Sequence, residues 1–169
     1  GFFGAVGNNG TVTNLTMQNT SVTGDTTVGG LVGAHRGTIA GSSVSGTISG
    51  NESVGGLAGE TNGTDATGVV NTSYATGNVT GTTQVGGLIG TATSATVNQT
   101  YVTATVAGET VVGGVVGTAT GATTIRQSYA AAPITGTDTV GRLAGVPTHP
   151  ANARSSYCAT AATGQDTSE

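Results

Sequence analysis

The stretch Val28-Gly29-Gly30-Leu31-Val32-Gly33 recurs along the chain with its apolar and glycine columns preserved. Copies begin at Val28, Val54, Val85, Val112 and Val140, at spacings of 26, 31, 27 and 28 residues. A period of this length is typical of a solenoid in which each repeat forms one coil. We therefore expect about six coils of 26–31 residues.

A second column closes each repeat with a small apolar residue, any residue and glycine. The closing triplets are Val22-Thr23-Gly24, Ile48-Ser49-Gly50, Val79-Thr80-Gly81, Val106-Ala107-Gly108, Ile134-Thr135-Gly136 and Ala162-Thr163-Gly164. Because the register persists to the last triplet, we predict one solenoid domain over residues 1–164, followed by a polar tail or linker at 165–169.

The composition favours strands. The chain has 31 glycines, 7% charged residues and many β-branched residues, which together disfavour helices. Short alternating stretches lie between clusters of Gly, Asn, Asp and Ser, which is the pattern of strands between tight turns. A coil of this length accommodates three strands and three corners. We predict an all-β fold, a three-sided parallel β-helix, right-handed by the general crossover rule.

The four tyrosines fall in one column of the repeat. Tyr74, Tyr101, Tyr129 and Tyr157 are spaced by 27, 28 and 28 residues, and each follows a serine or threonine. In stacked parallel coils their rings would lie roughly 4.7 to 4.9 Å apart and form an aromatic ladder. A structural stack is the simpler interpretation; a sugar-binding platform is the alternative and would require solvent-facing rings.

One column breaks the alternation expected of a strand. Period two places Val28 and Val32 on one face of the sheet and Leu31 on the other. Either a bulge at the glycine pair turns the leucine inward, or the strand is covered on both faces. The second alternative creates a stripe for association with another subunit, made of Leu31, Leu57, Leu88, Val115 and Leu143.

These motifs resemble the GLUG motif repeat. The resemblance rests on residues 28–33, on Gly37-Thr38-Ile39 and on the segment from Ser73 to Gly81, and it covers nearly all of residues 1–164. It implies a part of a large secreted or cell-surface protein of bacteria or archaea, with a structural and adhesive role and no catalysis. Arg142 and Ala162 depart from the pattern, which suggests that the array ends there.

The ends of the chain suggest partners. Residue 1 lies inside a coil, and Phe2 and Phe3 need burial, so we expect the first coil to be covered by another domain of a larger protein or by another copy of this chain. Cell-surface glycans are a further candidate partner. The tail with Pro147 and Pro150 resembles a cap or linker.

Charge limits the other partners. The net charge is −4, with four arginines and no lysine. Nucleic acids and anionic membranes are therefore disfavoured, and the chain has no transmembrane run. The single cysteine, Cys158, follows Tyr157 in a column of small apolar residues, so we expect a small buried thiol.

Extracellular placement is favoured by Asn-x-Ser/Thr sequences, which are the acceptor sites of N-glycosylation. Eight of the ten asparagines begin one: Asn9, Asn14, Asn19, Asn51, Asn62, Asn71, Asn78 and Asn98. Their alternative role is that of turn and corner residues.

Metal and catalytic sites are weakly indicated. Acidic residues follow the closing glycine at Asp25, Glu52, Glu109, Asp138 and Asp166, which predicts a solvated acidic corner or, less favoured, a calcium site. We interpret His35 and His149 as loop residues and expect no cofactor. No pair of carboxylates converges as catalysis needs.

Ice binding is a third functional class, weaker than the structural and adhesive role and than sugar binding. It would use the threonine arrays Thr91-Ala92-Thr93 and Thr118-Ala119-Thr120.

Overall fold

The computed structural model describes residues 1–63, 68–146, 153–158 and 162–166, with side chains up to residue 158. In these ranges the regular elements are β-strands joined by parallel pairing, which confirms the predicted parallel β-solenoid. Three sheets run along the stack, one strand per coil in the first two. Within the described residues no helix is long and apolar enough to cross a membrane.

The first and second sheets are built from short strands. The first sheet contains Phe3–Val6, Val32–His35, Ala58–Asn62, Ile89–Thr93, Val116–Thr120 and Ala144–Val146. The second sheet contains Thr11–Thr13, Thr38–Ala40, Val69–Asn71, Thr96–Asn98, Thr124–Arg126 and Ala153–Arg154.

The third sheet is bent, so that most coils contain four strand segments rather than the three predicted. Before the bend lie Thr16–Thr23, Ser43–Ser49, Tyr74–Thr80, Tyr101–Val102, Thr105–Ala107, Tyr129–Ala130 and Tyr157–Cys158. After it lie Thr26–Gly29, Glu52–Gly55, Thr83–Gly86 and Val111–Gly113. The strands Ile134–Gly141 and Ala162–Asp166 complete the sheet, the first of them running through the bend.

The closing glycines explain the bend. A Cβ atom on Gly50 would lie 2.7 Å from Cγ2 of Val28 and 3.1 Å from Cγ2 of Val54. The backbone therefore passes directly over the valines that begin neighbouring repeats, and a residue with a side chain would collide with them.

The core consists of inward columns in register. In the second sheet Val70 pairs with Ile39 on one side and Val97 on the other, and all three side chains are fully buried. Fully burying a side chain of this size contributes about 1.5–3 kcal/mol. Because β-branched residues of similar size repeat in this column, successive coils pack in register.

The leucine column is part of this core. Of the two predicted alternatives, the one in which the leucine turns inward is therefore correct, and the association stripe is wrong. Leu31, Leu57, Leu88 and Val115 are fully buried within the chain, and Leu143 is partly buried against the same core. The physical reason is a bend at the glycine pair between the third and first sheets, which turns the leucine inward. Gly30 also faces inward, where a Cβ would lie 2.6 Å from Cγ1 of Val44.

The two ends differ in detail from expectation. The last strand, Ala162–Asp166, extends two residues beyond the predicted boundary at 164. Phe2 and Phe3 are exposed by 64% and 37% and pack edge to face against each other, with ring centroids 5.0 Å apart. Cys158 is half-buried against the core. Pro147, His149, Pro150 and residues 167–169 lie outside the described residues.

Candidate functional site

Three of the four tyrosines form the predicted ladder. The rings of Tyr74 and Tyr101 have centroids 4.5 Å apart and planes 8° apart, and those of Tyr101 and Tyr129 are 5.5 Å and 12° apart. Burial, followed by the neighbouring hydroxyls of Tyr74 and Tyr129, raises the pKa of Tyr101. Tyr157 pairs with Tyr129 through the backbone, but the residue is 74% exposed.

The stacking leaves little room for a sugar platform on this column. Tyr101 has a tyrosine ring against each face, and a saccharide ring packs against an aromatic face rather than an edge. Open aromatic surface remains towards the end of the column, at Tyr129 and Tyr157, which are 43% and 74% exposed.

A buried hydroxyl ladder lies beside the tyrosines, and the sequence interpretation missed its role. Ser73 Oγ donates to the Asn71 carbonyl at 2.8 Å and accepts from the Ser42 backbone N–H at 3.1 Å. Ser128 repeats the arrangement, donating to the Arg126 carbonyl at 2.8 Å and accepting from the Thr100 N–H at 3.2 Å. The signal was the hydroxyl residue before each tyrosine.

This ladder stabilises a left-handed corner in every coil. The residue at this corner has a φ between 48° and 58° in every coil: Asn14, Gly41, Thr72, Gln99, Gln127 and Ser155. A serine or threonine follows it in all of these coils except the first, where Leu15 follows Asn14 and its N–H donates to Ser42 Oγ. Such a conformation costs about 1–2 kcal/mol for a non-glycine residue. The hydroxyl groups satisfy buried backbone groups at the corner, which offsets that cost.

The predicted acidic corner is not a single stripe. Backbone hydrogen bonds align Asp25 with Asn51, Thr82 and Glu109, whereas Glu52 pairs with Thr26 and Thr83 in the adjacent column. Asn51 Nδ2 also donates to Asp25 Oδ1 at 2.6 Å. The acidic residues therefore alternate between two columns with neutral residues between them. The described residues contain no group of three or more His, Cys, Asp or Glu placed to hold a metal ion.

His35 is a core residue, and its interpretation as a loop residue is wrong. It ends the strand Val32–His35, is 1% exposed and pairs with Thr61 of the next coil. Period two places it inward, since Ala34 and Arg36 take the outward positions. Burial lowers its pKa to about 4, an effect that the nearby Gly37 backbone partly opposes. Neither ring nitrogen, nor Thr61 Oγ1, has a partner at hydrogen-bond geometry.

Most acceptor asparagines have structural roles. Asn9, Asn14 and Asn19 adopt φ values of 62°, 54° and 52°, which asparagine tolerates better than most residues. Asn98 Nδ2 donates to Asn71 Oδ1 at 3.0 Å, and Asn51 pairs with Asp25 as described. Asn62 is half-buried and Asn78 is exposed on its strand.

The threonine pairs considered for ice binding lie in register on the first sheet. Thr91 pairs with Thr118 and Thr93 with Thr120, and the hydroxyls of Thr93 and Thr120 are 3.0 Å apart. The preceding coil contributes Glu60 in this array, so the regular threonine surface is two strands wide.

The outer face of the second sheet carries a trough of about 510 Å³. Val69, Thr96 and Thr124 line one side, and Asn71, Asn98 and Arg126 line the other. The second row includes the Asn71–Asn98 amide pair, and Arg154 follows Arg126 in register. The sequence interpretation did not identify this trough, because it considered Asn71 and Asn98 only as acceptor asparagines and did not consider Arg126.

Comparisons with known proteins concern the repeat and the fold. A segment of 47 residues is 51% identical to halomucin of Haloquadratum walsbyi (strain DSM 16790 / HBSQ001). The matched segment covers 28% of this chain and, to the nearest per cent, 0% of halomucin. The chain thus spans a very small part of that relative. No family model matches the chain.

The fold resembles a solved structure. It superimposes on a Bacteroides ovatus protein, provisionally described as an immunoglobulin A1 protease, with a TM-score of 0.76 and 21% identity over 95% of this chain and 55% of that chain. At this level of identity the likeness concerns the fold alone.

Proposed function

We propose that this chain is a GLUG-type repeat module of a secreted or cell-surface protein, in which it serves as a stiff structural and adhesive scaffold. The observation that carries the proposal is the set of ladders parallel to the solenoid axis. Backbone pairs link each coil to the next, and the Tyr74–Tyr101–Tyr129 stack and the buried hydroxyls add side-chain links between neighbouring coils. Five strand spacings of about 4.8 Å give a length of about 24 Å.

The comparisons support the coarser part of this proposal. The 47 residues that match halomucin form a small segment of a much longer protein, and the Bacteroides ovatus structure shares the solenoid fold. The proposal assigns no catalytic step and no cofactor to this segment. Its partners are other domains of the same surface protein or other copies of the chain.

Surface placement is tested by immunolabelling of intact cells of the source organism with an antibody against this chain. The proposal expects labelling without permeabilisation, and loss of the signal after mild protease treatment of whole cells. Labelling that requires permeabilisation would contradict an extracellular role.

The mechanical part is tested by electron microscopy of surface-extracted material at a resolution that separates strands 4.8 Å apart. Short rods on a larger body identify a stalk or adhesin repeat, whereas continuous fibres with abutting coils identify a filament subunit. Compact particles without a stacked-strand repeat would overturn the scaffold proposal in both forms.

A further inference from the structure

The trough on the second sheet has the dimensions of a ligand site. Its volume of about 510 Å³ lies within the range of about 300–1,000 Å³ usual for small-molecule sites. Its lining differs from the rest of the solenoid, since two carboxamides, two hydroxyls and one guanidinium accompany the single apolar side chain of Val69.

Charge on this face is opposite to that of the chain as a whole. The net charge is −4, but the described acidic side chains lie on the first sheet, at Glu60, or on the third sheet and its bend, at Asp25, Glu52, Glu109 and Asp138. Arg126 lies on the second sheet, and in the described part of the chain its guanidinium has neither a hydrogen-bond nor an ion-pair partner. An exposed cation therefore stands at one end of a polar trough.

The neighbouring amide pair is oriented by its own hydrogen bond. Asn98 Nδ2 donates to Asn71 Oδ1, which leaves the two Nδ2 hydrogens of Asn71 and the side-chain Oδ1 of Asn98 to engage a ligand. Thr96 and Thr124 add hydroxyls that both donate and accept. This mixture suits a hydroxyl-rich molecule better than an apolar one.

Aromatic surface lies around the adjacent corner in the coil that contains Arg126 and in the coil after it. Tyr129 follows Arg126, and Tyr157 follows Arg154, by three residues, a separation of at most about 11 Å along the chain. These are the two tyrosines with the most exposed rings.

We infer that this trough is a binding site for an anion-bearing saccharide such as an oligouronate. Arg126 pairs with the carboxylate through its planar fork of donors, while Asn71, Asn98, Thr96 and Thr124 bond the sugar hydroxyls. A nucleic acid is a poor occupant, because it presents a phosphate at every residue and the acidic remainder of the chain repels it.

Calorimetric titration of the full chain with tri-galacturonate tests the inference, with a neutral galactose trisaccharide and a sulfated disaccharide as comparison ligands. Binding of the uronate and not of the neutral sugar is expected, and it weakens as NaCl is added. Tighter binding of the sulfated ligand would identify sulfate rather than carboxylate as the preferred anion of the same site. Equal binding of the neutral sugar, or no binding of either acidic ligand at millimolar concentration, would overturn it.

The variant R126Q removes the charge while keeping a side chain capable of hydrogen bonds. The affinity for the acidic ligand should fall about tenfold or more, because the charge-assisted hydrogen bond to the carboxylate is lost. R126K should retain part of the binding, since it keeps the charge without the fork. R142Q is the matched control, because Arg142 is an exposed arginine at the bend between the third and first sheets.

The site is located independently by the side-chain amide resonances of Asn71 and Asn98 in NMR spectra, which should shift on titration. Unchanged affinity in R126Q, or shifts confined to residues of the other sheets, would contradict the assignment. Failure here leaves the scaffold proposal intact, since that proposal does not depend on a ligand.

Discussion

At the scale of single residues, two buried threonines in the same solenoid have opposite hydrogen-bonding states. Thr61 Oγ1 has no partner, whereas Thr123 Oγ1 accepts from the Ala95 N–H and donates its single proton to the Thr120 carbonyl at 2.7 Å, with the Ala92 carbonyl 3.1 Å away. Both side chains are at least 98% buried. Comparing the two residues therefore separates the contribution of a hydroxyl's hydrogen bonds to stability from the contribution of burial.

We expect T61V to be neutral or stabilising by up to about 1 kcal/mol, because it removes an unsatisfied polar group at almost constant volume. T123V should destabilise by about 1–3 kcal/mol, because it leaves the Ala95 N–H buried without an acceptor. Urea unfolding followed by circular dichroism measures both. An equal loss of stability in the two variants would contradict the difference in hydrogen bonding.

The buried imidazole of His35 makes the stability of the fold depend on pH. Its folded pKa is about 4, against an ordinary value of 6.5, so the unfolded chain binds a proton in a window where the folded chain does not. The free energy of unfolding should then fall by about 3 kcal/mol from this group as the pH decreases from 6.5 to 4, and remain unaffected by it above 6.5.

The variant H35L removes this dependence while preserving an apolar side chain of similar size. The difference in unfolding free energy between H35L and the parent should be constant above pH 6.5 and grow in favour of H35L below it. His149 is common to both proteins and cancels in the comparison. Parallel stability curves from pH 7 to 4 would refute a buried neutral imidazole.

At the scale of the structural element, the glycine pair determines how one sheet turns into the next. A Cβ on Gly86 would lie 1.9 Å from the Ile89 carbonyl oxygen and 2.5 Å from the Gly117 nitrogen, and both atoms belong to the backbone. No rotation of a side chain relieves such a contact. Glycine is required here by close backbone approach.

G86A should therefore destabilise the chain by about 3 kcal/mol or more, at the upper end of overpacking effects. G4A is the matched control, because a Cβ at Gly4 meets no atom within 4 Å. Urea titrations of the two variants under identical conditions measure the difference. A loss of stability in G4A as large as in G86A would show that the cost comes from chain flexibility and not from the bend.

The repeat columns were sufficient to predict parallel strands, register and the tyrosine ladder, because an in-register stack places each column against itself. They were insufficient where a coil turns. The pattern left two alternatives for Leu31, and its burial selects the one in which a bulge at the glycine pair turns it inward. His35 was interpreted as a loop residue, but it lies in an inward column with Thr61 and Ala92, which are also buried. The trough was not predicted, because the column Asn71–Asn98–Arg126 changes type at its last member and carries no recognised binding motif.

At the scale of the whole molecule, each coil contacts mainly the coils before and after it, so stability is close to a sum over neighbouring interfaces. The strand Ile89–Thr93 pairs with Ala58–Asn62 on one side and Val116–Thr120 on the other. Phe3–Val6 pairs with Val32–His35 alone. Opening the first coil breaks one interface, whereas opening a central coil breaks two.

Amide hydrogen exchange of the intact chain should therefore be slowest in Ile89–Thr93 and clearly faster in Phe3–Val6, since local opening follows the number of interfaces lost. In G86A the exchange should accelerate first in the paired strands that end at the glycine-pair bend, namely Thr83–Gly86 and Val111–Gly113. Exchange in Phe3–Val6 should change little. Uniform exchange along the parent chain, or uniform acceleration in G86A, would contradict nearest-neighbour stability and show that the coils unfold as a single cooperative unit.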